Sequence, residues 1–160
     1  MTKQNSEQPN QSWFNFYMQE IDSIPESGFK KFGDYFLCSC CCFPTLTERR
    51  AWDICSLCNW EDDGQDDHNA DKILGGPNRD YSLTEARQNF KNYLTAYRPS
   101  DCRPFERTTI RKTFNGKIIC DLTEIKKQII DKYNLAMTNS NIEEQKQLFI
   151  DVAKLIKKLR

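Results

Sequence analysis

Apolar and polar positions along the chain change their spacing several times, and each change predicts an element. Residues 1–11 are polar throughout, which predicts a frayed tail. Ser12 is placed to cap a short helix that carries Trp13, Phe16, Tyr17 and Ile21 near helical spacing; Pro25, Ser27 and Gly28 stop it. Tyr35, Phe36 and Leu37 read as a short strand, and residues 51–54 as another. From Trp60 to Asp71 no period survives, so a loop is expected, and Gly75, Gly76, Pro77 and Asn78 extend the irregular stretch. Ser82 followed by Glu85 is a capping-box pattern. Leu83, Ala86, Phe90, Tyr93, Leu94 and Tyr97 then share one broad helical face. Pro99 and Pro104 bracket a loop. Residues 108–114 and 117–120 flank Asn115-Gly116, a pair that tolerates positive φ and predicts a two-residue hairpin turn. Asp121 or Thr123 caps a helix through Ile125, Ile129, Ile130 and Tyr133. Residues 138–141 break it, and residues 143–159 form a last helix with Leu148, Val152, Leu155, Ile156 and Leu159 apolar. There is no internal repeat.

Composition narrows the class. A chain of 160 residues suits one domain, or one small domain with an arm. Basic and acidic residues balance at 23 each, so no overall basic field draws the chain to nucleic acid or membrane. Mean hydropathy is -0.75, and no apolar run approaches the roughly 18 residues of a membrane span. The opening MTKQNSEQPN holds no apolar stretch of a secretory signal, which points to the cytoplasm. A single histidine, His68, argues against a histidine-based catalytic triad.

Cysteine usage changes the picture most. Of eight cysteines, six lie between positions 38 and 58: Cys38, Cys40, Cys41, Cys42, Cys55 and Cys58. Nothing indicates secretion, so the cluster reads as metal ligands or redox groups rather than disulfides. Cys38 and Cys41 form one C-x2-C pair and Cys55 and Cys58 a second, with 13 residues between the pairs. Each pair can turn tightly and present two thiolates, and a hairpin-length spacer brings the turns together around one tetrahedral ion. Four thiolates without histidine suit one structural zinc, Zn2+. An iron–sulfur cluster would use similar ligands. A redox dithiol would need only one pair. Cys40 and Cys42 flank Cys41 and could replace a ligand by a slip of register, although the two-residue gaps favour Cys38 with Cys41. Cys102 and Cys120 are isolated and read as buried free thiols.

These residues also carry a resemblance. Leu37–Phe43 reads LCSCCCF, followed by Thr45-Leu46 and Glu48-Arg49; residues 54–64 read ICSLCNWEDDG. Gln65-Asp66-Asp67, Gly75-Gly76-Pro77-Asn78 and the run SLTEARQNF from Ser82 follow. Over about residues 35–111 this resembles the bacterial cysteine-rich CPCC domain family. Ser39 and Ser56 stand where that family usually has proline. Cys42 stands where it usually has glycine, at a knuckle end that often needs positive φ. The resemblance implies a small zinc-ribbon-like domain and no particular activity. The expected architecture is therefore α+β: an N-terminal tail and short helix (residues 1–34), the ribbon-like domain (35–111), and a hairpin strand with a helical C-terminal arm (112–160).

Charge supplies the remaining candidates. Glu61, Asp62, Asp63, Asp66, Asp67 and Asp71 fill the loop after the second cysteine pair without a lysine or arginine. Their register does not fit a calcium loop. They read either as an acidic surface loop or as a face for a basic protein partner, with Glu61, Asp62, Asp63, Asp66 and Asp67 as the contacts. His68 in the same loop reads as a solvated side chain. Arg103, Arg107, Arg111, Lys112 and Lys117 form a basic stretch on the hairpin, and ribbons often bind nucleic acid. With no nucleophile–base pair and no phosphate loop, the expectation is a non-catalytic protein-interaction module, and specifically an immunity-type protein that neutralises a bacterial toxin. The alternative is a nucleic-acid-associated ribbon.

Overall fold

A computed structural model describes residues 28–112 and 118–160. The short helix expected around Trp13–Ile21 and the Asn115-Gly116 turn lie outside the described residues. Within them the chain is α+β. Three short strands, β1 (Lys31–Phe32), β2 (Tyr35–Leu37) and β3 (Pro44–Leu46), make one antiparallel sheet in that order. Gly33, at φ +59, turns β1 into β2, and β2 delivers the chain directly to Cys38. Past the second cysteine pair come helix α1 (Leu83–Tyr93) and helix α2 (Cys102–Thr109). A second antiparallel ribbon follows, β4 (Ile110–Lys112) with β5 (Ile118–Asp121), and then the long helices α3 (Leu122–Thr138) and α4 (Ile142–Leu159). No helix among the described residues is long and apolar enough to cross a membrane.

Local chemistry sets the helix ends. Ser82 Oγ accepts from the Glu85 backbone N–H at 3.1 Å. The return half of the expected capping box is absent, because the Glu85 carboxylate pairs with Arg98 Nε at 2.8 Å. α1 stops where Leu94 turns left-handed at φ +59, so Leu94 and Tyr97 lie beyond the helix that their spacing suggested. Asp121 caps α3 and Asn141 caps α4, each accepting from backbone N–H groups of the first turn.

Two expected strands are corrected. Residues 51–54 reduce to a single bridge, Ile54 to Glu61, because Arg50 and Trp52 both take positive φ and break extended pairing. Residues 102–109, expected as loop and strand, form α2. Pro104 sits in its first turn, where a missing N–H leaves no helical bond unmade. Arg103 and Arg107 are therefore helical, and the hairpin begins only at Ile110.

One core runs through both the cysteine region and the arm. Leu46, Leu57, Trp60, Tyr81, Leu83 and Ala86 join Ile129, Tyr133, Val152 and Leu155 in a single buried cluster with the cysteines. Aromatic rings bridge the parts. Tyr133 of α3 stacks on Phe43 at 5.5 Å and meets Phe149 of α4 edge-on at 5.8 Å; Phe149 in turn stacks on Phe32 and Tyr35 at 5.9 and 6.1 Å. Tyr133 is 3% exposed. Tyr133→Ala should lower unfolding stability by about 3 kcal/mol or more, measured by denaturant titration, because both the buried ring and its stacking partners are lost. A loss under about 1 kcal/mol would mean the arm does not depend on this contact.

Candidate metal centre and the acidic latch

The two C-x2-C segments fold as near-copies. In each, the N–H of the first cysteine donates to the carbonyl five residues on: Cys38 to Phe43 and Cys55 to Trp60, both at 2.9 Å. The residue after the second cysteine donates back to the first: Cys42 N–H to Cys38 O at 2.8 Å, Asn59 N–H to Cys55 O at 2.9 Å. Those two residues are left-handed, Cys42 at φ +62 and Asn59 at φ +68. The positive φ anticipated from glycine at the first knuckle end is thus present, carried by a cysteine.

The turns bring Cys38, Cys41, Cys55 and Cys58 together. Their four Sγ atoms all lie within 4.8 Å of one another, and the pairs Cys38–Cys58 and Cys41–Cys55 stand at 3.7 Å. Sulfurs held by a tetrahedral ion at about 2.3 Å would stand about 3.8 Å apart, so the spacing fits one metal ion. All four cysteines are buried, none more than 7% exposed. Backbone N–H groups point at sulfur, from Cys58 to Cys55 Sγ at 3.5 Å and from Trp60 to Cys58 Sγ at 3.4 Å; Thr45 Oγ1 lies 3.1 Å from Cys55 Sγ. Burial pushes the thiols of Cys38, Cys41 and Cys58 well up. At Cys55 the same burial is outweighed by hydrogen bonds from Cys38, Cys41 and Cys58, which hold it down. Four thiolates this close in a dry site would repel one another, and a bound cation is what would let all four ionise together.

The neighbouring thiols separate cleanly. Cys40 is buried at 4% exposure against Cys58, and burial raises its pKa; Cys42 is exposed. Neither belongs to the converging set. Cys102 is exposed and Cys120 partly so, which corrects the expectation that both are buried. His68 is exposed in a short 3-10 turn, Asp67–Asn69, away from the four sulfurs.

The segment after α1 seals the second knuckle. Ala96 N–H donates to Cys58 O at 2.7 Å, Thr95 Oγ1 to the same oxygen at 3.5 Å, and Tyr97 Oη to Asn59 O at 3.4 Å. From the other side α3 contributes Lys126, only 2% exposed, whose Nζ donates to Leu94 O at 2.7 Å. Burial draws the Lys126 pKa down to about 8, while the charges of Cys58, Cys55 and Cys41 oppose that shift. Neither contributor was legible as part of the site: Lys126 sits 68 residues after Cys58 among ordinary helix-face lysines.

The acidic loop is placed differently from the expected surface. Asp62 and Asp63 are 1% and 2% exposed. Asp62 accepts both oxygens' worth of bonds from Arg49 Nε, at 3.0 and 3.1 Å, plus the Arg50 N–H at 2.6 Å. The Arg49 guanidinium also reaches Asp66 at 3.2 Å and stacks on Phe29 at 4.1 Å. Asp66 caps the short turn in a reciprocal box with Asn69. Asp63 accepts from Gln65 N–H and Asn78 Nδ2, and burial raises its pKa to about 6. Asp67, at the surface, pairs with Arg87 at 2.7 Å, and Arg87 Nε donates to Ser39 O in the first knuckle. Arginines distant in sequence thus supply the counter-charge that the loop itself lacks. Of the five expected partner contacts, Asp62 and Asp63 face inward, Glu61 and Asp66 are partly covered, and Asp67 is exposed.

With this geometry established, a family model described as cysteine-rich CPCC matches residues 36–107. That segment, a little under half of the chain, is similar to the cysteine-rich CPCC family. Neither a curated protein nor a solved structure matches the chain. The CPCC segment contains all four converging sulfurs and the acidic latch, whereas Lys126, Tyr133 and the whole of α3 and α4 lie beyond it.

Three outcomes follow from this arrangement. Cys55→Ser or Cys58→Ser should abolish metal retention and collapse the cooperative melt, whereas Cys42→Gly should raise stability by about 1 kcal/mol by relieving a left-handed side chain. A neutral Cys55→Ser would mean that the sulfurs do not act as a set. Asp62→Ala should cost about 3 kcal/mol, because it leaves the buried Arg49 with only the partly exposed Asp66 and leaves the Arg50 N–H without its carboxylate acceptor, and Asp67→Ala should cost under about 1 kcal/mol. For Asp63 the sign is set by its raised pKa. The folded carboxyl holds its proton up to about 6 and the unfolded one only to 3.8. Its ionisation therefore removes stability as pH climbs between those values. Against wild type, Asp63→Asn should gain in relative stability from pH 4 to 6 and stay level above. A relative stability that is flat across that range would place Asp63 in contact with water.

Proposed function

We propose that this protein is a non-catalytic, cytoplasmic protein-interaction module built around one structural zinc ion, and that it serves as an immunity-type protein neutralising a bacterial toxin. The observation that carries the zinc reading is the buried, closed set of four sulfurs, Cys38, Cys41, Cys55 and Cys58, at tetrahedral spacing. Zinc suits four thiolates, and a closed four-sulfur shell leaves no open position for water or substrate, which favours a structural ion over a reactive one. The interaction reading draws on the surface beside that centre. Trp52 and Ile54 are 46% and 61% exposed on the edge that pairs with Glu61, so apolar side chains stand next to an acidic rim. Apolar anchors with a charged rim are the usual make-up of a protein-binding patch.

Charge reversal has to respect the latch. Glu61→Lys with Asp67→Lys changes the rim while sparing the buried Asp62 and Asp63. Captured from its native host and identified by mass spectrometry, a toxin partner should bind wild type, and its toxicity should be suppressed on co-expression. The doubly reversed protein should associate more slowly, and Trp52→Ala should dissociate faster, both with zinc content and melting temperature close to wild type. The nucleic-acid alternative has its own support in Arg79, Arg103 and Arg107, which line one groove along α2. A salt-dependent DNA titration that responds to Arg103→Ala and Arg107→Ala, beside unchanged partner capture by the reversed rim, would replace the immunity reading with that one.

A further inference from the structure

Four thiolates around a divalent ion leave two negative charges inside a dry core, and such a charge needs compensation beyond two N–H···S contacts. Arg87, a basic side chain of the CPCC segment whose charge acts on Cys40, is committed to Ser39 O and Asp67. Lys126 is the lysine that stands fully buried among the described residues. It shares a cavity of about 200 Å³ with Cys55, Ser56 and Asn59 of the second knuckle. Among the described residues a single acceptor, Leu94 O, meets its three N–H donors, and the charges of Cys58, Cys55 and Cys41 act to keep it protonated. A buried ammonium is costly unless it faces negative charge, and no aspartate or glutamate lines the cavity that Lys126 shares with Cys55.

From this placement, and resting on the metal reading above, we infer that Lys126 is the counter-ion of the metal–thiolate centre, a positioning residue supplied by the arm rather than by the CPCC segment. The arm then does more than cover the ribbon. It balances the centre's charge through Lys126 and fixes that ammonium by the Leu94 carbonyl, which α1 leaves open at its left-handed end.

The test uses the full chain loaded with cobalt(II), whose sulfur-to-metal absorption band reports the electron density on the thiolates. Lys126→Met keeps the length and removes the charge. It should move that band to longer wavelength and weaken cobalt and zinc retention against a chelator by about tenfold, the order of effect of one partly screened buried charge. Lys126→Arg should restore both. Ile129→Ala, on the same helix and fully buried, should lower the melting temperature and leave the band where it is. A band unmoved in Lys126→Met, or moved as far in Ile129→Ala, would reduce Lys126 to a packing role. A wild-type protein that develops no thiolate–cobalt band overturns the metal reading itself, and the counter-ion with it.

Discussion

The fold depends on gathering four sulfurs into a space where none of them meets water. As thiols they are weak hydrogen-bonding groups that contribute little to hold two knuckles together. As thiolates they repel one another in a low dielectric. A bound cation would offset that repulsion, and in such a centre metal binding and folding are coupled. The matched backbone bonds of the two knuckles and the left-handed Cys42 and Asn59 pre-shape each half for this task. The residues between and after the knuckles serve mainly to exclude solvent, through Leu46, Leu57 and Trp60 beneath and Thr95–Tyr97 across the second turn.

Electrostatics in the acidic loop is a matter of folding more than of display. Arg49 holds Asp62 and Asp66 from a position before the second knuckle, and Arg87 holds Asp67 from α1 while also touching the first. The loop is thereby tied to both sides of the four-sulfur cluster. A loop that looks like an unbalanced acidic patch has most of its charge answered within the fold. What remains outward is the half-covered Glu61 beside Ile54, with Asp67 and Asp71 exposed elsewhere on the loop. Any partner that uses this edge meets a mixed apolar and acidic surface, not a field of like charge.

The helical arm is continuous with the ribbon's core. Tyr133 and Phe149 lie against Phe43, Phe32 and Tyr35, so α3 and α4 cover the first knuckle and its sheet, while Lys126 reaches the second. The CPCC segment ends at residue 107, inside α2, yet the hydrophobic cluster passes through that boundary without a break. The four converging cysteines thus lie within the segment that resembles the family, and the arm outside that segment helps to bury them.

The sequence by itself determined the features that rest on short-range spacing. Two C-x2-C pairs 13 residues apart specify the four sulfurs, since a tight turn needs only neighbouring residues to aim two thiolates. Helices α1, α3 and α4 were readable from apolar period and caps for the same reason. Tertiary structure alone decided the rest. Residues 51–54 lost their strand because Arg50 and Trp52 turn left-handed, with Arg50 N–H on Asp62 and Trp52 N–H on the Asp62 carbonyl. Residues 102–109 became a helix although two prolines suggested a loop, since a proline in the first turn is compatible with either. Asp62 and Asp63 turned inward because Arg49 and Asn78, invisible as partners in a linear reading, lie across from them. Lys126 gives no sign in sequence of being buried, because whether a lysine faces water or a thiolate cluster depends on contacts made 68 positions away from Cys58. Spacing can specify which groups share a turn, but which charges answer one another is settled only when distant segments pack.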